Sequence, residues 1–140
     1  MADDRSQIID TVVGYATAAD TRDWSLLDDV FIPDCVGDFG PFQLRDRDGI
    51  RAMMSSMLDG CGPTQHLLGN YRIAIDGDRA TCTSAIRAFH AAKDPGTPQT
   101  YELFGEYRDD LIRTPAGWRI AKRSMRVFHE LGTQDILGPG

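Results

Sequence analysis

Apolar residues recur along this chain at two spacings, and the change from one to the other divides it in half. Over residues 4–19, Ile8, Ile9, Val12, Val13, Ala16 and Ala19 fall at helical intervals, which predicts an amphipathic helix. Asp20-Thr21-Arg22-Asp23 breaks the pattern. Asp23 is placed to cap a short second helix carrying Trp24, Leu27, Val30 and Phe31, which Pro33-Asp34 ends. Residues 35–39 read as a short strand, and Gly37, Gly40 and Pro41 mark a bend. A third helix starts near Asp46 or Asp48, puts Ile50, Met53, Met54, Met57 and Leu58 on one face, and stops at Gly60, Gly62 and Pro63.

Beyond that point the period falls to two. Residues 65–75, 79–92, 100–113 and 118–129 read as strands. Asp76-Gly77-Asp78 is a hairpin signal, residues 93–98 form a loop, and Thr114-Pro115-Ala116-Gly117 is another turn. Helices first and a four-strand antiparallel meander after them predict an α+β fold with helices on one face of a curved sheet. One domain is expected over residues 1–131, with 132–140 a flexible tail or a docking arm.

Alternation sorts each strand into two faces. His66, Leu68 and Asn70 share one, as do Ala80, Cys82, Ser84, Ile86, Ala88 and His90, and again Leu103, Gly105, Tyr107, Asp109 and Leu111. Each of these faces mixes apolar residues with one or two polar ones. That mixture suits a pocket wall better than a plain core or a solvated surface. The other face of the third long strand carries Glu102, Glu106, Arg108 and Asp110, so it is solvated or part of a polar interface.

Composition narrows the functions. The 140 residues carry a formal net charge of −6, which disfavours nucleic acid and anionic membrane surfaces as partners. No apolar run approaches the ~20 residues that span a bilayer, and the charged start reads as that of a cytoplasmic protein. Cys35, Cys61 and Cys82 are odd in number and form no CxxC pair, so neither a disulfide framework nor a metal site is expected. They read as small buried hydrophobes, although Cys61, between glycines, is expected to be exposed enough to react. Phosphate-loop, dinucleotide, zinc-protease and nucleophile-elbow motifs are absent. No cofactor is implied.

What remains for chemistry is a pair of strand histidines and a helix-end carboxylate. His66 and His90 have apolar neighbours, and imidazole both takes and gives protons near neutrality. Asp20 closes the first helix, where a carboxylate opposes the helix dipole and needs a partner. A buried histidine would serve: Asp20 beside His66 would orient the ring and stabilise its protonated form. Tyr15, five residues earlier, offers a hydroxyl. Tyr107, Asn70 and Asp109 could supply further polar contacts, and Met53 and Met57 a pliable wall.

Taken in order, Tyr15…Asp20-x-x-Asp23-Trp24, Asp34…Asp38-Phe39, Thr64-Gln65-His66-Leu67-Leu68-Gly69-Asn70, Phe89-His90 and Tyr107-Arg108-Asp109-Asp110-Leu111…Gly117-Trp118-Arg119-Ile120 resemble the SnoaL-like, scytalone dehydratase-like branch of the nuclear transport factor 2 superfamily. The resemblance implies a cone of curved sheet and helices: about four long strands, one short strand and three N-terminal helices around a pocket. It implies a dehydratase-type lyase in which Asp20 pairs with His66, with His90 and Tyr15 completing the catalytic set. Asn70, Phe39, Met53, Met57, Leu68, Tyr107, Asp38 and Asp109 are then expected around an apolar cyclic substrate, and a homo-oligomer, dimer or trimer, is expected. Ala19 and Phe39 stand where the fungal dehydratase has tyrosines, which implies a different substrate. A ketosteroid isomerase-like or polyketide cyclase reading uses Asp38 as base with Tyr15 and Asp109 as oxyanion donors. A third reading is a binder of hydrophobic ligands.

Overall fold

The computed structural model describes residues 3–140. Helix α1 spans Asp4–Thr21, and its N-cap Asp3 accepts from the Ser6 N–H. Its buried face is Ile8, Val12, Tyr15, Ala16 and Ala19. A 3-10 helix follows over Trp24–Asp29, capped by Asp23. It stops earlier than the apolar pattern implied, and Phe31 instead opens strand β1 (Phe31–Phe39). Pro33, expected to end a helix, lies inside this strand. The register with its neighbour shifts between Phe31 and Val36, and such a bulge tolerates a residue without an N–H.

Strand β2 (Phe42–Leu44) hairpins back on β1. Helix α2 (Arg47–Leu58) is capped by Asp46, not Asp48. Then come β3 (Thr64–Asp76), β4 (Arg79–Ala91), β5 (Thr100–Thr114) and β6 (Gly117–Gly132). The meander β3 to β6 is as expected from the alternation. The sheet is larger than the meander, with order β2-β1-β6-β5-β4-β3 and β1 parallel to β6.

Besides the shift in β1, three irregularities bend this sheet, at Gly69/Arg72 in β3–β4 and at Phe104/Gly105 and Asp110/Leu111 in β5–β6. At Gly105 a Cβ would stand 2.3 Å from the Arg126 carbonyl oxygen, so the close approach there requires glycine. The concave face wraps α1 and α2. Trp118, Tyr107, Phe31, Ile8, Leu27 and Ile50 are buried between the layers.

The terminal stretch is docked. Gly138 donates to the Met57 carbonyl and accepts from the Gly60 N–H, both at 2.8 Å, while Leu137 packs on the core. A 3-10 turn, Gln134–Ile136, carries the chain across. These bonds hold Gly138 between Met57 and Gly60, at the end of α2.

Candidate active site

Helix α1 ends beside the start of β3, and this junction builds the central contact. Asp20 Oδ1 lies 2.7 Å from His66 Nδ1, and Asp20 Oδ2 accepts from the His66 backbone N–H at 2.9 Å. Thr64 donates to the same carboxylate at 2.9 Å. Burial pushes the Asp20 carboxyl up, but hydrogen bonds from the His66 ring, its N–H and Thr64 outweigh it, leaving the group below its ordinary value. A carboxylate only accepts here, so the Nδ1 proton points at Asp20 and His66 Nε2 is left free.

Arg22 makes this junction possible, and pattern reasoning passed it over. It closes α1 in the left-handed conformation at φ 60°, where glycine is the usual occupant. Its guanidinium donates to the carbonyls of Ala19, Leu58 and Gly62 and to the Thr64 hydroxyl. It thus satisfies the helix end, offsets the dipole that Asp20 opposes, and fixes the threonine that holds Asp20.

The next strand brings up the second imidazole. His90 lies across from Thr64 in register, and its ring centroid is 5.5 Å from that of His66. Its Nδ1 is 3.0 Å from the Tyr101 carbonyl oxygen, so Nδ1 carries the proton and Nε2 is bare. Burial drives its pKa down to about 4. At neutral pH His90 is therefore a neutral ring that accepts a hydrogen bond.

Both histidines line a cavity of about 510 Å³. Its walls are mostly apolar, with Phe39, Met53, Met57, Leu103, Met125 and Leu137 among them, as small-molecule pockets are. Tyr15 and Tyr107 also line it. Neither hydroxyl has a hydrogen-bond partner among the described residues. Burial raises the Tyr15 phenol to about 12 and the Tyr107 phenol well above its ordinary value. Both therefore stay protonated and can donate.

The structure brings together Asp20, His66, His90, Tyr15, Tyr107, Phe39, Met53 and Met57, and separates others. Asn70 occupies the β3 irregularity at φ 53°. The extra residue turns it off the alternation, and it is exposed away from the cavity. Asp38 points away from the buried Phe39 and accepts from the Gln43 amide at 2.7 Å. Leu68 packs against the core without lining the cavity. Asp109 is fully buried in a two-point ion pair with Arg123, at 2.7 and 2.9 Å. Cys61 is buried too, its thiol donating to the Ala91 carbonyl, and Cys35 and Cys82 are free and buried as expected.

Sequence reasoning missed Tyr101, Met125, Glu130, Gln134 and Leu137 in the lining. Tyr101 had a signal, because it shares parity with Leu103 and Tyr107. The β6 and tail residues had none: two bulges reset the β6 alternation. Among the described residues, no group of three His, Cys, Asp or Glu side chains is placed to hold a metal ion, and no helix is long and apolar enough to cross a membrane.

A curved sheet closed by N-terminal helices over an apolar cavity is the architecture of the nuclear transport factor 2-like class. Within that class the chain belongs to the SnoaL-like domain family, whose model matches residues 1–124. It is 36% identical over 125 residues to the uncharacterized protein Rv2910c of Mycobacterium tuberculosis, covering 86% of this chain and 82% of that one. The solved structure of Kfla4162 protein from Kribbella flavida superposes with a TM-score of 0.83 at 23% identity, over 91% of this chain and 93% of that one. Hexachlorocyclohexane dehydrochlorinase LinA-type3 from Novosphingobium barchaimii LL02 shares the fold with a TM-score of 0.79 at 16% identity, over 94% and 91%.

Proposed function

We propose that the chain is a dehydratase-type lyase acting on an apolar cyclic hydroxy ketone through acid–base groups of the protein alone. The observation that carries this reading is the His66 ring, tied to Asp20 through Nδ1 on the wall of a mostly apolar cavity. Its free Nε2 takes the proton alpha to the carbonyl. The electron pair moves toward the carbonyl oxygen, which the hydroxyls of Tyr15 and Tyr107 meet as donors. The carbon–hydroxyl bond then breaks, and the hydroxyl leaves as water with the proton returned from His66. The products are an enone, water and the resting imidazole.

His90 does not donate that proton: neutral, with Nδ1 committed to Tyr101, it can only accept a hydrogen bond from the substrate hydroxyl. One imidazole therefore takes and returns the proton, so both departing groups leave from the same face of the ring. The isomerase reading loses its two carboxylates, since Asp38 lies outside the cavity and Asp109 is held by Arg123.

A panel of cyclic β-hydroxy ketones incubated with wild type, His66→Ala and Asp20→Asn tests the proposal. Loss of water by wild type alone supports it. Equal turnover by all three overturns it, and so does a tightly bound ligand recovered unchanged after long incubation.

A further inference from the structure

Behind the two cavity tyrosines stands a buried cation to which the elimination as described assigns no part. Arg123 reaches this position because a bulge opposite Asp110/Leu111 inserts Ala121 into β6 and resets its alternation, turning Arg123 inward after Trp118 and Ile120. Its side chain is fully buried, as is that of Asp109. The guanidinium carbon lies 4.0 Å from the Tyr107 ring centroid and 4.7 Å from that of Tyr15. The two rings meet edge to face at 5.7 Å.

The edges of this guanidinium are unequally used. Nε and Nη2 bond to the Asp109 carboxylate. Nη2 also approaches the carbonyl of Val12, one turn before Tyr15 on α1, at 3.5 Å. Nη1 is buried without any hydrogen-bond partner. The carboxylate thus sits at one edge, and the rings of both tyrosines lie against the cation. Burial raises both phenols, and Arg123 acts against it by favouring the charged form, while Asp109 adds to the rise.

We infer that Arg123, held by Asp109, is a positioning residue that makes Tyr15 and Tyr107 an anion-stabilising wall, selecting ligands whose oxygen becomes negative in the cavity: enolisable ketones, or phenols taken up as phenolates. A cation over a phenol ring draws density from it and makes its O–H a stronger donor. Against a mostly apolar cavity wall that charge is less screened than in bulk water. The phenols remain protonated, so they stabilise the oxyanion without acting as bases. The inference deepens the proposed elimination and rests on it for the enolate, whereas the preference for an anionic oxygen stands on Arg123 and the tyrosines.

The test uses 2-naphthol at neutral pH, with naphthalene as its uncharged counterpart. Absorption reports whether bound naphthol is the anion, and titration gives both affinities. In wild type the bound probe shifts toward naphtholate. Arg123→Gln and the Tyr15→Phe/Tyr107→Phe double variant each lower naphthol affinity relative to naphthalene by about tenfold. Arg123→Lys retains part of the preference, a rescue that loss of packing alone would not give. Should Arg123→Gln fail to fold, the double tyrosine variant and Arg123→Lys decide the matter alone. An anion preference unchanged in the double variant, or equal in Arg123→Gln and wild type, overturns the inference. So does a preference that persists in those variants and vanishes in His66→Ala, because the imidazolium would then hold the charge. Turnover surviving His66→Ala with the naphtholate preference intact would instead sink the lyase reading and leave this one standing.

Discussion

Two carboxylates in this molecule hold nitrogen cations or bases at the same 2.7 Å, yet their surroundings set them to opposite tasks. Asp20 and His66 meet at a helix end on the cavity wall, with side chains 25% and 7% exposed, while Asp109 and Arg123 are both 0% exposed. The guanidinium cannot lose its proton in neutral water, and burial with a matching carboxylate locks the pair. Imidazole changes charge near neutrality, and its second nitrogen remains free. On the proposed reading the same contact distance serves a proton carrier in one place and a fixed electrostatic support in the other. What separates them is the partner's chemistry and its access to the cavity.

The largest effect that would break this contrast is catalytic. His66→Ala should lower dehydration at least a thousandfold, and Asp20→Asn by a comparable factor, as removal of a base or of its orienting carboxylate does. The steady-state rates of the two variants beside wild type check this. Next in size is stability. Asp109→Ala should cost about 3–5 kcal/mol by leaving Arg123 buried and unpaired. Asp20→Asn should cost only about 1–2 kcal/mol. Urea melts of both variants test the ordering, and an equal cost would erase the distinction.

A third effect runs through pH. Folded His90 takes a proton only near pH 4, whereas the unfolded chain takes it near 6.5. As pH falls the unfolded state binds the proton first, so stability is lost between about 6.5 and 4, by up to about 3 kcal/mol. Asp20, lowered from 3.8, adds its own loss only beneath that window. Urea melts across the range should show the decline, and His90→Phe should flatten it. The smallest effect belongs to a residue that the strand pattern put at the site. Asn70→Gly should leave turnover unchanged and shift stability by no more than about 1 kcal/mol, since it relieves a left-handed backbone on the far side of the sheet. A loss of activity in that variant would return Asn70 to the cavity.

The contrast also shows where sequence reading works and where it stops. Regular alternation across β4 and β5 was enough to place His90 and Tyr107 inside, and the helical period set Asp20 at the end of α1. The electrostatic cost of a carboxylate at that end called for a partner such as a buried histidine, and the family resemblance implied His66. Reading failed at the β3 bulge and made no prediction at the one that precedes Arg123. One extra residue turned Asn70 outward in β3, and another turned Arg123 inward in β6. Bulges are settled by how neighbouring strands close on each other, which a local period does not record. The parallel β1–β6 pairing and the docking of Leu137 are likewise long-range events. Arg22 lay in plain sight, but its value comes from carbonyls of residues 58 and 62 that only the fold brings near.

Nitrogen-15 NMR of the histidine rings probes the core of the account most directly. At pH 8.5, where free imidazole is neutral, the account predicts that His66 carries its proton on Nδ1, toward Asp20, with an unprotonated Nε2 whose signal moves when a ligand fills the cavity. A His66 ring protonated on Nε2, or an Nε2 signal indifferent to every cavity ligand, would contradict it.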